Sequence, residues 1–213
     1  MNDIRSGRTG HEEESTAAVV LAAGAGSRFR GADGHDPSVH GRHKLLAVLP
    51  ATAERPAESV ASRSVAIALA ADVGEVIVVT GAVDLQLPPA VTRRHNPDWR
   101  LGQMTSVLAG IDEAASRGHR RVIFGLADQP GIAPAAWRAV ASHDGPITVA
   151  TYAGRRGNPV RLDEAVWPLL PAEGDVGARI LMQAHPHLVR EVPCTGSPED
   201  IDTVEDLRQW QSS

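Results

Sequence analysis

An apolar run that leads directly into a glycine-rich turn constrains this fold more than any other part of the chain. The segment VVLAAGAGSRFRG occupies residues 19–31. Its apolar half is typical of a buried strand. Its small residues would let backbone N–H groups approach phosphate oxygens, and Arg28 would supply positive charge. The segment therefore predicts a buried strand that feeds a phosphate-binding loop. The alternative is a glycine-rich turn that only closes a strand.

Two common phosphate-binding loops do not match this turn. A dinucleotide-binding loop requires Gly-x-Gly-x-x-Gly, and here Gly24 and Gly26 are followed by Phe29 at the third position. A P-loop requires Gly-Lys-Ser/Thr at its end, whereas Gly31 is followed by Ala32. We therefore expect neither of these two nucleotide-binding motifs.

Segments with strand-like and helix-like patterns alternate along the rest of the chain. The expected strands are residues 17–22, 75–81, part of 120–131, 146–152 and 187–193, with a short one near Val91. The expected helices are residues 55–74, 101–118, 134–142, 162–170, 175–184 and 203–210. This alternation predicts a Rossmann-like α/β fold of three layers, in which helices cover both faces of a mostly parallel sheet.

The predicted topology also indicates where a ligand would bind. Ligands of open parallel sheets bind outside the carboxyl ends of the strands. The loops after Ala22, Thr80, Ala127 and Val192 lie at such ends. We therefore expect the functional site among these four loops.

Composition and charge limit the classes of protein to consider. The 213 residues are 42% hydrophobic, which suits one domain at residues 17–213 after a polar, disordered tail at residues 1–16. A net charge of −5, without a dense basic run, argues against a nucleic-acid partner. We expect no membrane association, because no apolar run approaches ~18 residues and the N-terminus lacks a signal-like apolar stretch. The single cysteine, Cys194, permits no internal disulfide, which fits a cytoplasmic protein.

Six ordered stretches of the chain resemble one family. LAAGAGSRF at residues 21–29 resembles LAAG-x-(S/G)-x-R-(M/F), the opening signature of nucleotidyltransferases. The others resemble stretches of the molybdenum cofactor cytidylyltransferases, a group of MobA-like NTP transferases. They are HNPDWRLGQMTSVLAG (95–110), LADQPGI (126–132), GRRGNPV (154–160), GDVGAR (174–179) and DIDTVEDL (200–207). The chain is therefore identified as a member of this family over residues 17–210.

The resemblance implies a fold like that of nucleotide-diphospho-sugar transferases, and it implies a reaction. The family transfers CMP from CTP to the terminal phosphate of a molybdopterin-type cofactor and releases pyrophosphate. The product is the dinucleotide cofactor of xanthine dehydrogenase-like hydroxylases. Such a molybdenum hydroxylase, or its maturation factor, is therefore a candidate partner, and Mg²⁺ is the implied cofactor.

Two aspartates at strand ends are the candidate metal ligands. Nucleotidyl transfer develops charge on the α-phosphate and on the leaving pyrophosphate, and Mg²⁺ held by oxygen ligands neutralises it. Asp128 ends an apolar strand shortly before Pro130, and Asp202 lies in another acidic turn. The resemblance implies the same two residues. For each of them the alternative is the N-cap of a turn or helix.

The expected nucleotide-binding residues combine the first turn with positions that the resemblance implies. They are Leu21, Ala22, Ala23, Gly24, Gly26, Ser27, Arg28, Lys44, Thr80, Asn96, Ser106 and Asp128. Of these, Arg28, Lys44 and Asp128 are the expected catalytic residues. The alternative for Ser106 is a polar residue in a helical turn.

Lys44 is the expected phosphate clamp, but the sequence departs from the family before it. The family places this lysine a few residues after the arginine, whereas segment 31–42 separates Lys44 from Arg28 here. A long loop adds little closure entropy, so we expect Lys44 to reach the site and segment 31–42 to become ordered when nucleotide binds. The alternative is an ordinary basic residue before a strand.

Residues 31–43 carry three histidines and two aspartates. A zinc or nickel site is conceivable there, but cysteine ligands are lacking and we favour a solvated loop. The residues are Asp33, His35, Asp36, His40 and His43.

Four residues in the second half of the chain are expected to face the acceptor, where cationic groups would hold its phosphate. They are Arg156, Asn158, Asp175 and Arg179. Turn and N-cap roles are the alternative, above all for Asp175. Three tryptophans are expected to serve packing rather than base stacking: Trp99, Trp137 and Trp167.

Two other functions remain open from the sequence. A guanylyltransferase of molybdenum cofactor or a sugar-phosphate nucleotidyltransferase would share the first turn and differ in nucleotide or acceptor. A cofactor-binding carrier or chaperone would keep the fold without turnover. The insertion before Lys44 favours the carrier, whereas the retention of Asp128 and Asp202 argues against it.

Overall fold

The computed structural model describes residues 15–29, 43–52, 56–172, 174 and 178–212. The strands are β1 Thr16–Ala22, β2 Val48–Leu49, β3 Glu58–Ser59, β4 Glu75–Thr80, β5 Thr92–His95, β6 Arg121–Leu126, β7 Ile147–Tyr152, β8 Arg155–Asp163 and β9 Val189–Pro193. The α-helices are α1 Val60–Ala71, α2 Gln103–Ser116, α3 Pro134–Ser142, α4 Arg179–Ala184 and α5 Val204–Ser212. Short 3₁₀ helices lie at Ser27–Phe29, Lys44–Leu46, Trp99–Leu101, Glu164–Leu169 and Pro186–Leu188.

Seven strands form one sheet in the order β5–β4–β1–β6–β8–β7–β9. β1 lies inside the sheet and pairs in parallel with β4 and with β6. β5 is parallel to β4, and β9 is parallel to β7. Within the described part of this seven-stranded sheet, β8 is the one strand that runs antiparallel to both of its neighbours. The expected mostly parallel sheet is therefore confirmed.

Helices cover both faces of this sheet. Neighbouring residues of a strand point to opposite faces. Val20 accordingly packs in a cluster with Val65 of α1 and Val140 of α3, whereas Val19 packs in another cluster with Met104 of α2. The three-layer arrangement predicted from the alternation of segments is confirmed.

Two tryptophans pack in these layers, as expected. Trp137 is 3% exposed and lies against Gly125 of β6, where a Cβ atom would stand 2.4 Å from the ring. Trp167 packs against the cluster on the α2 face and donates a hydrogen bond to the Leu162 carbonyl at 3.3 Å.

The antiparallel strand β8 is absent from the sequence expectation and corrects it. Its segment GRRGNPV reads as a turn because glycine and proline are depleted in strands. The register against β7 shifts between Val149 and Ala150, so Asn158 and Pro159 fall in the irregular part of the pairing. Proline has no N–H group to donate to a ladder, and the irregularity accommodates it.

Two helix predictions are also corrected. Residues 55–74 were expected to be helical, but α1 begins at Val60 because Ser59 caps it and β3 pairs with β2 just before it. Residues 162–170 form a 3₁₀ helix at Glu164–Leu169, which contains Pro168, a residue without the N–H group that a longer α-helix needs.

A small third cluster joins the segments that surround the first turn. Phe29, Leu49, Val60, Ile201 and Leu207 are buried together in it. It fixes the end of the first turn against the segment before α5. Residues 1–14 of the expected tail lie outside the described residues, and β1 begins at Thr16 rather than Ala17. None of the described helices is long and apolar enough to cross a membrane.

Candidate functional site

A cavity of about 380 Å³ lies at the carboxyl ends of β1 and β6. The glycine-rich turn after β1, called the first turn, forms one wall. The other walls come from the 3₁₀ helix at Lys44, from the start of α2 and from two acidic loops, which carry Asp128 after β6 and Asp202 before α5. The lining residues are Leu21, Ala22, Ala23, Gly24, Ala25, Gly26, Ser27, Arg28, Lys44, Leu45, Trp99, Arg100, Gly102, Gln103, Ser106, Leu126, Asp128 and Asp202. The cavity thus brings together most of the residues expected to bind nucleotide.

The first turn is shaped by Gly26 and anchored by Phe29. Gly26 has φ of +58°, a left-handed conformation that glycine adopts without a Cβ penalty. The Phe29 N–H group donates to the Gly26 carbonyl at 3.1 Å, and the Phe29 ring is 3% exposed in the third cluster. Arg28 lies between them and stays exposed at the rim of the cavity.

Lys44 lies between the two candidate metal ligands. Its Nζ atom is 2.5 Å from Asp128 Oδ2 and 2.5 Å from Asp202 Oδ1. Burial alone would lower the pKa of Lys44, but the two carboxylates outweigh burial and the pKa is raised. The ammonium group is therefore charged. The structure brings Lys44 into the site despite the insertion, which resolves the main departure from the family pattern.

The amino-acid composition also indicates that Lys44 has a specific role. Lys44 is the only lysine of the chain, beside 20 arginines. A chain that uses arginine everywhere else and keeps one lysine at a strand-end cavity points to a position that needs a compact ammonium group.

The other cation at the rim is Arg28. Its Nη1 atom is 2.9 Å from Asp202 Oδ2, and its side chain is 75% exposed. Solvent screens this pair strongly, so it adds little to stability. Arg28 is placed to contact an anion that enters the cavity.

The two acidic loops are joined through the backbone. The Ile201 N–H group donates to the Asp128 carbonyl at 2.9 Å, so Asp202 follows directly beside Asp128. The Asp128 Oδ1 atom is buried and lacks a hydrogen-bond partner among the described residues. A buried carboxylate oxygen without a partner is costly unless a further group binds it. This arrangement fits a cation ligand better than a turn cap.

A capping box shows that Thr203, and not Asp202, caps the N-terminus of α5. Thr203 Oγ1 accepts from the Asp206 N–H group at 3.1 Å, and Asp206 Oδ2 accepts from the Thr203 N–H group at 2.7 Å. These reciprocal bonds make Thr203 the N-cap of α5. The Asp202 side chain is therefore available to Lys44 and Arg28.

The two carboxylates fit a hard divalent cation. Mg²⁺ takes one or two carboxylates from the protein and completes its shell with phosphate oxygens and water. Within the described residues no group of three or more His, Cys, Asp or Glu side chains is arranged as a metal site. Asp128 and Asp202 would thus hold Mg²⁺ together with a bound triphosphate.

Gln129 and Asp200 are residues of this site that the sequence reasoning missed. Gln129 Nε2 donates to Asp200 Oδ1 at 2.7 Å and to the Pro198 carbonyl at 2.8 Å. Burial, together with the charges of Asp128 and Asp202, raises the pKa of Asp200. Both residues stand in the stretches LADQPGI and DIDTVEDL, next to the aspartates that were singled out.

A second cavity of about 590 Å³ adjoins the first. The two share Leu21, Gln103 and Leu126. The second is also lined by the expected acceptor residues Arg156, Asn158 and Arg179, and by Arg155, which the sequence reasoning missed. Asp175 lies outside the described residues.

The second cavity is tied to the acidic loops by side-chain hydrogen bonds. Asn158 Nδ2 donates to Gln129 Oε1 at 2.9 Å. Arg156 pairs with Glu191 at 2.8 Å, on a partly exposed surface. The arginines of this cavity therefore share it with Asn158, Gln129 and Asp200.

Two expected nucleotide residues, Thr80 and Asn96, do not line either cavity. Thr80 is buried at the end of β4, and its carbonyl accepts from the Asn96 N–H group at 2.8 Å. Asn96 Nδ2 donates to Ser106 Oγ and to Thr105 Oγ1, both at 2.9 Å. Asn96 thereby supports Ser106, which does line the first cavity.

Trp99 lies at the mouth of the first cavity rather than in the core. The Arg100 guanidinium stands over its ring, 4.3 Å from the centroid. This stacked pair lines the same cavity as the first turn.

Segment 31–42, with Asp33, His35, Asp36 and His40, lies outside the described residues, so its expected ordering stays a prediction. His43 is described, and the expectation of a solvated residue is wrong for it. His43 is 6% exposed, and both ring nitrogens have partners within the protein. A ring with both nitrogens occupied offers no lone pair to a zinc ion.

Comparison with known proteins adds to this geometry. The model of the MobA-like NTP transferase domain matches residues 18–189. Nicotine blue oxidoreductase of Paenarthrobacter nicotinovorans is 31% identical over 210 residues, which cover 89% of this chain and 93% of that protein. Purine catabolism protein PucB of Bacillus subtilis (strain 168) is 28% identical over 205 residues, which cover 88% and 92%. A solved nucleotidyl transferase from Methanothermobacter thermautotroptrophicus has a TM-score of 0.74 and 25% identity, covering 93% of this chain and 96% of that chain.

Proposed function

The chain belongs to the MobA-like NTP transferase family, and from this premise we propose that it is a Mg²⁺-dependent cytidylyltransferase acting on a molybdopterin-type cofactor. The nucleotidyl transferase fold and the family make the chain a nucleotidyltransferase-type protein. The nucleotide, the acceptor and the metal are the proposed part.

The observation that carries this proposal is the position of Lys44 between Asp128 and Asp202 at the cavity floor. A carboxylate pair, an ammonium group and a turn of backbone N–H groups are the parts that a metal–triphosphate complex requires. All of them line one cavity at the carboxyl end of β1.

The proposed reaction joins the contents of the two cavities. A terminal phosphate oxygen of the acceptor attacks the α-phosphorus of CTP, and the bond between the α-phosphorus and the bridging oxygen of the β-phosphate breaks. Pyrophosphate leaves with the bonding electrons, and CMP is transferred to the acceptor through a new phosphoanhydride bond. Mg²⁺, when bound, supplies charge neutralisation at the α-phosphate and the leaving group.

The chain's own residues bind and orient the reactants. The first turn and Arg28 would hold the triphosphate, and Lys44 would turn from the carboxylates to the phosphates as these enter. Arg155, Arg156 and Arg179 would hold the acceptor's phosphate, because they line the adjoining cavity. The two cavities share Leu21, Gln103 and Leu126, so the two reactants would meet there.

The choice of CTP and of molybdopterin rests on family resemblance and on one relative's name. LAAG followed by LADQP is the combination of the cytidylyltransferase branch. PucB is named for purine catabolism, and xanthine, for which the hydroxylases that use the dinucleotide product are named, is a purine. A guanylyltransferase or another nucleotidyltransferase of a small phosphorylated acceptor is the alternative within the same chemistry. A carrier or chaperone without turnover is the alternative outside it.

A redox function is a second candidate, because the relative at 31% identity is named nicotine blue oxidoreductase. The geometry of the site favours nucleotidyl transfer over a redox reaction with a dinucleotide cofactor. The third glycine of a dinucleotide-binding turn is replaced by Phe29, which is buried in a 3₁₀ helix rather than at the start of an α-helix.

One panel tests these functions together. The chain is incubated with Mg²⁺, molybdopterin and each of CTP, GTP, ATP and UTP, and pyrophosphate is measured. We expect release that depends on molybdopterin and is fastest with CTP. Preference for GTP would overturn the cytidine assignment. Pyrophosphate release with none of the four, together with oxidation of NADH or NADPH, would favour the oxidoreductase. Binding of CTP and molybdopterin without pyrophosphate release would favour the carrier.

A further inference from the structure

His43 is a buried histidine that joins the first turn to the segment carrying Lys44. It is the N-cap of the 3₁₀ helix Lys44–Leu46, and its Nδ1 atom accepts a hydrogen bond from the Leu45 N–H group at 3.3 Å. Its Nε2 atom lies 2.9 Å from the Gly24 carbonyl oxygen. Since a carbonyl only accepts, Nε2 carries the proton and Nδ1 carries the lone pair. The two bonds therefore select one neutral tautomer.

The ring also touches the turn directly. A Cβ atom on Gly26 would stand 3.0 Å from His43 Nε2 and 3.2 Å from two ring carbons. Gly26 leaves the space that the imidazole fills. The first turn and the segment at Lys44 are therefore packed as one unit with His43 between them.

The bond to Gly24 fixes the direction of a backbone donor. In a trans peptide the C=O group of one residue and the N–H group of the next point in opposite directions. His43 holds the Gly24 carbonyl, so the Ala25 N–H group points away from His43. Ala25 lines the first cavity. An N–H group directed there would meet a phosphate oxygen.

We propose that neutral His43 is a positioning residue, which aims the Ala25 N–H group at the nucleotide's phosphates and sets the backbone from which Lys44 reaches them. This inference rests on the proposed function, because it assigns His43 a task in binding the triphosphate. It goes beyond the roles that the family resemblance implies, because these include none for His43, the residue directly after segment 31–42.

The neutral state of His43 gives the proposal a pH signature. Burial lowers the pKa of His43 below its ordinary value of 6.5, and the adjacent Lys44 charge lowers it further, against the Gly24 bond, which raises it. The first turn presents backbone atoms of Gly24 and Gly26 to the ring, and Lys44 is the charged group on its own segment. Because the pKa of His43 is lower in the folded state, neutral His43 stabilises the fold fully above pH 6.5. This stabilisation is lost as the pH falls through the pKa of the folded state. Protonation of Nδ1 then removes the acceptor for the Leu45 N–H group.

Two conservative variants separate the two bonds. His43→Asn keeps a short side-chain acceptor for the Leu45 N–H group but does not reach Gly24. His43→Gln keeps a donor at the reach of Nε2 but loses the cap. The exposed His143→Gln, at the C-terminus of α3, is the matched control. Circular dichroism verifies that each variant is folded.

The readout is the affinity for Mg²⁺ with CTP, or for the best-bound nucleoside triphosphate, by calorimetry from about pH 5 to about pH 8. We expect His43→Asn to bind about tenfold more weakly than wild type at pH 8, the equivalent of one lost hydrogen bond. We expect His43→Gln to bind within about threefold of wild type at pH 8. Wild type should lose affinity more steeply than His43→Gln as the pH falls, with His143→Gln following wild type.

One outcome would contradict the proposed function, and a different one would contradict only the role of His43. If wild type binds no nucleoside triphosphate, the proposed function is wrong. If wild type binds one, and both His43 variants bind it with the same affinity and the same pH profile as wild type, the role of His43 is wrong and the proposed function stands.

Discussion

Among single residues, Asp128 gives the sharpest prediction, because its buried Oδ1 atom has no hydrogen-bond partner among the described residues. Asp128→Asn keeps the shape of the side chain and replaces a charged oxygen ligand by an amide. We expect the fold to be retained and the rate of nucleotidyl transfer to fall by at least about 100-fold, since outer partners of a metal already contribute 10–100-fold. Circular dichroism and pyrophosphate release are measured on the same preparation.

Asp112→Asn is the matched control for this variant, because Asp112 is an exposed carboxylate on α2. It should transfer at the wild-type rate. Near-normal turnover of folded Asp128→Asn would show that Asp128 has a structural role only.

Lys44 contacts the two carboxylates, Asp128 and Asp202, that would hold Mg²⁺, so the ammonium group and the metal ion should compete for them. We expect Lys44→Met to bind Mg²⁺ at least about tenfold more tightly than wild type in the absence of nucleotide, since one unit of positive charge beside a partly buried carboxylate is worth more than about 1.4 kcal/mol. The same variant should lose nucleotide affinity. Calorimetric titration with MgCl₂ measures the first effect.

Arg28→Met is the control for this competition. Arg28 also pairs with Asp202, but its side chain is 75% exposed and screened by water. Its removal should change Mg²⁺ affinity less than removal of Lys44. Equal Mg²⁺ affinity of wild type and Lys44→Met would contradict the competition.

Sequence reasoning identified the charged residues of the site better than the polar residues that position them. Asp128, Asp202 and Lys44 stand at strand ends or in recognisable stretches, and the structure brings them together. Gln129 and His43 were missed as positioning residues because each acts through hydrogen bonds to segments distant in sequence, such as Pro198 and Gly24. Only the packed fold makes such partners visible.

At the scale of elements, the start of α5 holds Asp202 in place. Thr203→Val removes the hydroxyl of the capping box and keeps the side-chain shape. We expect the free energy of unfolding to fall by about 1 kcal/mol. We also expect Mg²⁺ binding to weaken, because Asp206, whose Oδ2 atom accepts from the Asp202 N–H group at 3.0 Å, loses its own bond to the Thr203 hydroxyl. Denaturant unfolding and calorimetry measure the two effects.

Glu205→Gln is the control, since it changes a first-turn residue outside the capping box. It should shift the free energy of unfolding by less than about 0.5 kcal/mol. A stability of Thr203→Val equal to that of wild type would show that the capping box contributes nothing to this end of α5.

Helices and strands with a clear apolar pattern were predicted well. Those whose bounds depend on pairing between strands were not. β1, β4 and α3 lie within a residue or so of the predicted bounds, because continuous apolar runs and Pro134 mark them. β8 was missed because its glycine and Pro159 disfavour a strand locally, and pairing with β6 and β7 overrides that preference. The start of α1 depended on the β2–β3 pair in the same way.

At the scale of the whole molecule, two adjoining cavities at one edge of the sheet provide for two reactants. The first turn, Lys44 and Asp128 line one, and the arginine-lined cavity opens beside it across Leu21 and Leu126. The alternation of strands and helices predicted this edge, because ligands bind at the carboxyl ends of parallel strands. It could not predict that Arg155 joins the second cavity, since that depends on the unpredicted strand β8.

The fate of the α-phosphate shows whether the chain transfers CMP to a molybdopterin-type acceptor. The chain is incubated with Mg²⁺, molybdopterin and CTP that carries ³²P at either the α- or the γ-position, and the products are separated. We predict that α-label appears in a molybdopterin–cytidine dinucleotide, that γ-label is released only as pyrophosphate, and that Asp128→Asn forms both products at least about 100-fold more slowly. If α-label stays in CTP or free CMP while molybdopterin is unchanged, the chain does not transfer a nucleotide to this acceptor, and the proposed function is wrong.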